Sequence, residues 1–115
     1  MIDTEQILYG GATGTQRVRV WLEPRGGGGI GLFSHDIGSG LESAFGKSEI
    51  ETFLEVDAQH MPNLTAALRA ERPGSADAST AMDMLTEKYR GNAAATSAFR
   101  AWLSVRAIPY RFTIV

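Results

Sequence analysis

Thirteen acidic and eleven basic side chains are spread unevenly along this chain of 115 residues, and the densest run is acidic. Between residues 36 and 57 stand Asp36, Glu42, Glu49, Glu51, Glu55 and Asp57, against Lys47 alone. Carboxylates gathered in this way repel nucleic acid and attract basic partners. They can also occupy positions that a basic cleft keeps for phosphate. Their plainer use is to solvate a surface or to pair with arginines from elsewhere in the chain.

Other spacings hold less chemistry. Ser34-His35-Asp36 has the residue types of a hydrolase, but neighbours on a strand point to opposite faces and cannot converge as a triad. The stretches RGGGGIG and GGATGT lack the Gly-Lys-Ser/Thr of a phosphate loop and read as turns. Asp83 and Glu87 stand four residues apart, as a pair of metal ligands on a helix would, but read more plainly as a solvated helix face. His35 and His60, with scattered acids, form no metal spacing. There is no cysteine, which excludes disulfides, thiolate zinc sites and cysteine nucleophiles. The sequence therefore points to no catalytic group, no metal and no cofactor.

The whole-chain properties agree with a binding role. The net charge of -2 conceals nine acids against four bases in residues 1–60 and four against seven in residues 61–115. At 12.4 kDa the chain fits one domain, residues 1–115, with a core that needs no staples. No apolar run approaches the roughly 20 residues of a membrane span, and the N-terminus lacks the shape of a signal peptide. The expectation is a cytoplasmic protein with no membrane partner.

The elements that would position these residues follow from periodicity. Residues 4–9 form a short first strand, broken by the glycines of residues 10–14. Val18, Val20 and Leu22 alternate with Arg17, Arg19, Trp21 and Glu23 in a second strand. A glycine turn leads into a third, residues 30–37, with Ile30 and Leu32 on one face and Phe33 and His35 on the other. Ser39 or Ser43 would cap a helical turn carrying Leu41 and Phe45. Residues 49–56 alternate Ile50, Thr52, Leu54 and Val56 with Glu49, Glu51, Phe53 and Glu55.

The period then changes. Asp57 would cap a first helix bearing Met61, Leu64 and Leu68, ended by Pro73. A second helix spans residues 78–90 with Met82, Leu85 and Tyr89 as its stripe and Gly91 beyond its end. Asn92 caps a third, with Ala95, Phe99, Trp102 and Leu103 inward. Residues 108–115 return as a last strand. The fold class is α+β: a mostly antiparallel sheet of four to five strands with two to three helices on one face.

The opposite sheet face would carry Arg17, Arg19, Trp21, Phe33, His35, Glu49, Glu51, Phe53 and Glu55. Such a mixture can satisfy itself by cross-strand pairing. It also suits a protein interface, because Trp, Phe and Arg anchor interfaces and a rim of carboxylates steers a basic partner. The expected contacts are Asp36, Glu42, Glu49, Glu51 and Glu55, with Trp21 and Phe53 as anchors. A nucleic-acid platform would use the same geometry, but the neighbouring acids oppose it. Two rivals stand beside this reading. One is a small ligand-binding domain or enzyme with a pocket between sheet and helices, using His35, Asp36 and Tyr110. The other is a homodimer through an exposed strand edge or the aromatic face.

Certain residues also carry a resemblance. Asp36-Ile37-Gly38 ends a strand, Phe45-Gly46 precedes the acidic strand, and a final helix runs into Ile108-Pro109-Tyr110-Arg111-Phe112. Across residues 30–70 and 98–113 the chain resembles a group of short bacterial proteins. These in turn are similar to immunity proteins of polymorphic toxin systems. The resemblance implies a small acidic cytoplasmic domain that neutralises a cognate toxin by binding it. The Ala/Ser/Thr-rich stretch of residues 75–81 departs from the pattern.

Overall fold

The computed structural model describes residues 6–13, 16–38, 49–71 and 80–115. The helical turn expected within residues 38–47, with Glu42 and Phe45-Gly46, lies outside them, as does the Pro73 stop. Five strands form one antiparallel sheet in the order of the chain: β1 (Gln6–Thr13), β2 (Gln16–Pro24), β3 (Ile30–Ile37), β4 (Glu49–Val56) and β5 (Arg111–Ile114). Three helices complete the fold: α1 (Met61–Glu71), α2 (Ala81–Tyr89) and α3 (Ala95–Val105). No described helix is long and apolar enough to cross a membrane.

The register follows the side-chain alternation. Leu22, Leu32 and Leu54 lie opposite one another across β2, β3 and β4, as do Trp21, Phe33 and Phe53. A slip of one residue would exchange the leucine row for the aromatic row, so burial of the leucines fixes the pairing. The β2–β3 connection is a tight turn in which Gly27 and Gly28 adopt φ of +82° and +103°, a region that disfavours side chains.

β1 departs from expectation. It runs on through Gly10 and Gly11 to Thr13, because extended backbone is open to glycine and β2 supplies the partner. A bulge at Leu8 lets Leu8 and Tyr9 both approach the core. β5 is shorter than the expected 108–115 strand; Ile108 instead seals the core below α3.

All three helices contribute to the core on the leucine side of the sheet. α2 lies over β1 and β2, α3 over β3 and β4, and α1 packs on α2. The core joins Val20, Leu22, Leu32, Leu54 and Val56 to Leu64, Leu68, Leu85, Phe99 and Leu103. α2 begins one turn later than expected, at a capping box: the Thr80 hydroxyl accepts from the Asp83 amide and the Asp83 carboxylate from the Thr80 amide. Asp83 thus serves the helix end. Met84 takes the buried position expected of Met82. Gly91, at φ +77°, turns the chain after α2, and its amide donates to the Leu8 carbonyl at 2.7 Å.

One core residue carries a polar group at a cost. The Tyr89 ring packs on Phe99 with centroids 5.8 Å apart, and its buried hydroxyl has no hydrogen-bond partner among the described residues. Burial pushes its ionisation far above that of an ordinary phenol. Tyr89→Phe removes an unpaired polar atom without changing the ring. It is expected to raise stability by about 1 kcal/mol in thermal unfolding. A loss of stability instead would show that the hydroxyl is paired in solution.

Candidate protein-docking face

The sheet face turned away from the helices is built around an aromatic row. Trp21 and Phe33 have ring centroids 5.8 Å apart, and Phe33 meets Phe53 edge-on at 5.5 Å. Trp21 and Phe53 are half-buried, whereas Phe33 is only 3% exposed. Phe33 owes this burial to Gly31, two residues back on the same face. The ring tip fills the place a Gly31 Cβ would take, and Arg25 covers the ring at 5.3 Å. The row continues to Ile7 on β1, opposite Trp21 and 48% exposed. Arg19 lies over the Trp21 ring at 4.6 Å, and the Trp21 indole N–H donates to Glu23 at 3.0 Å.

Gly31→Ala tests this arrangement. Because the nearest obstacle is a packed ring, Phe33 must leave its place. Stability is expected to fall by about 1–3 kcal/mol, the usual range for overpacking, with a changed near-ultraviolet aromatic signal. An unchanged melting curve would mean that Phe33 does not rest on Gly31.

The two ends of the row differ. At the turn end, Arg25 reaches Glu23 at 3.1 Å and Glu55 at 3.3 Å, while Arg111 reaches Glu55 at 3.5 Å and Asp57 at 2.7 Å. Arg25, Glu55, Asp57 and Arg111 line a polar hollow of about 360 Å³. Asp57 makes no side-chain cap; its carboxylate is drawn to Arg111 instead. At the other end, His35 faces Glu51 across the β3–β4 pair, and His35 Nε2 lies 2.6 Å from a Glu49 carboxylate oxygen. Beside them a cleft of about 480 Å³ is lined by Ile7, Arg17, Arg19, His35 and Ile37.

The expected contact residues therefore separate. Trp21, Phe53, Glu49, Glu51 and Glu55 share the open face. Of these, Glu55 is already engaged by two guanidiniums, so its charge serves the sheet itself. Asp36 does not join them. It has the parity of Leu32 and Ser34 and sits opposite Val18 and Ile50, on the helix side. Burial raises its carboxyl above the usual range, and the neighbouring His35 offsets part of that. Glu42 lies outside the described residues.

The rival set does not assemble. His35 is on the open face and Asp36 on the other, while the Tyr110 hydroxyl meets Ser104 of α3 at 3.4 Å. The core lies between sheet and helices, and the hollow at its margin, about 180 Å³ and lined by Pro24, Ile30, Met61 and Met82, is lined by none of these three residues. Sequence reasoning missed Arg25, which the turn folds back over the face, and Ile7 and Ile37, whose parity was readable. It also missed the grouping of His35 with Glu49 and Glu51, which only the strand register supplies. No protein-family model, curated protein or solved structure matches the chain.

Proposed function

We propose that the chain is an immunity-type protein that acts by binding, in the cytoplasm, to a cognate bacterial toxin and occluding its active site. The observation that carries this reading is the aromatic row Ile7–Trp21–Phe33–Phe53 on the sheet face opposite the helices. It crosses four strands, and no described helix covers it. A rigid sheet holds these rings in place, so docking loses little conformational freedom. Phe33 serves as the fixed base of the row, with Trp21 and Phe53 as its accessible anchors.

Charge gives the docking an orientation. Arg25 and Arg111 engage Glu55 and Asp57; Glu49, paired with His35, and Glu51 form the acidic flank, and Arg17 and Arg19 the basic one across the sheet. A toxin would set basic residues of its cleft against β4. Such a flank mainly raises the association rate and weakens with salt.

The test is co-expression with the product of the adjacent reading frame. That product alone should arrest growth, and this chain should restore growth and form a one-to-one complex with it. A harmless neighbour, or rescue without a complex, would overturn the reading. So would light scattering showing a stable homodimer that buries the aromatic row.

A further inference from the structure

The β3–β4 register brings together three metal-binding side chains that are far apart in sequence. We propose that His35, Glu49 and Glu51 form a surface site for a divalent transition-metal ion of the zinc type. His35 lies directly opposite Glu51, and Glu49 stands two residues along β4 on the same face. One ligand atom from each, a ring nitrogen and two carboxylate oxygens, lies within 4.8 Å of the other two. A tetrahedral zinc shell has ligand bonds of about 2.0–2.2 Å, which sets its donors about 3.3–3.6 Å apart. Small side-chain rotations, of the exposed Glu49 above all, reach that spacing, because paired strands already fix the three Cα positions.

The donor types agree with this choice. One imidazole and two carboxylates suit zinc and its neighbours, whereas magnesium and calcium favour oxygen alone. Two carboxylates also neutralise the ion, which a lone histidine cannot do. The alternative use of these residues is a single His35–Glu49 ion pair at the surface. Such a pair contributes little and gives Glu51 no part. Three protein ligands leave a coordination position open. His35 also lines the cleft beside Ile7 and Ile37, with Arg17 and Arg19 on its wall. This site does not depend on the toxin-binding reading, and its test uses the free chain.

Calorimetric titration of the full chain with zinc chloride is expected to show one-to-one binding, and cobalt(II) to develop a visible absorption band. His35→Ala and Glu51→Gln should each weaken binding by about tenfold or more. His60→Ala, which removes the only other histidine, should leave it unchanged. Glu49→Gln keeps size and shape at an exposed position, so it decides the matter if His35→Ala melts early. Absence of saturable binding at millimolar zinc would overturn the proposal. So would wild-type affinity in His35→Ala and Glu49→Gln, or an equal loss in His60→Ala.

Discussion

Trp21→Ala is expected to weaken binding to the proposed toxin partner by about 30-fold or more, and Phe53→Ala to act in the same direction. The figure corresponds to about 2 kcal/mol, the threshold for a dominant interface residue. Trp21 meets that description physically. It is half-buried against Phe33, its indole N–H is satisfied by Glu23, and Arg19 steadies one side of its ring. A preordered ring of this kind adds contact area without further loss of rotamer freedom. Truncation also uncovers Phe33, so affinity should be measured well below the melting temperature of the variant.

Val105 provides the contrast. It is 82% exposed, more than any other large apolar residue described, yet it stands at the end of α3 on the helix layer. Val105→Asp should leave affinity unchanged if the open sheet face is the docking surface. Glu49→Lys combined with Glu51→Lys should slow association and flatten its salt dependence. Equal binding by Trp21→Ala and the parent, or loss of binding in Val105→Asp, would move the interface elsewhere.

Much of this face was legible from alternation alone. The parity of Trp21, Phe33 and Phe53 against Leu22, Leu32 and Leu54 is local information, and a sheet with one buried side must respect it. Asp36 was legible by the same rule, since it shares parity with Leu32; its acidic neighbours in sequence concealed this. The internal use of Glu55 and Asp57 was not legible. It depends on Arg111, more than fifty residues away, returning as the edge strand, and on the glycine turn placing Arg25 over Phe33. The same holds for His35 and Glu49, which meet only because β3 and β4 pair with Phe33 against Phe53. Gly10 and Gly11 show the converse error. Composition marks a break there, but a neighbouring strand with free edge groups recruits the glycines into the sheet.

On the helix layer, Glu71→Gln is expected to lower stability by about 1–3 kcal/mol at neutral pH, with a deficit that shrinks in acid. Glu71 ends α1 and holds the other two helices to it. Its carboxylate accepts from the Trp102 indole N–H, from Lys88 Nζ at 2.8 Å and from the Arg106 guanidinium at 2.7 Å. Arg106 also lies over the Trp102 ring at 4.2 Å. Burial by itself would raise this carboxyl. The hydrogen bonds from Lys88 and Trp102 and the charges of Lys88 and Arg106 outweigh it and hold the group below its usual range. A carboxyl depressed in the folded state adds stability above its unfolded pKa of about 4.3, and that stability is lost as pH falls through the folded value. The amide cannot titrate, so the gap between parent and variant should narrow below about pH 4.3 and close once Glu71 is protonated. Asp36 works in the opposite sense, because its raised carboxyl costs stability as pH rises through its titration. Measuring both proteins in an Asp36→Asn background therefore isolates Glu71. A gap constant from neutral to acid pH would mean that the carboxylate charge is not what joins the three helices, and that the indole contact alone does so.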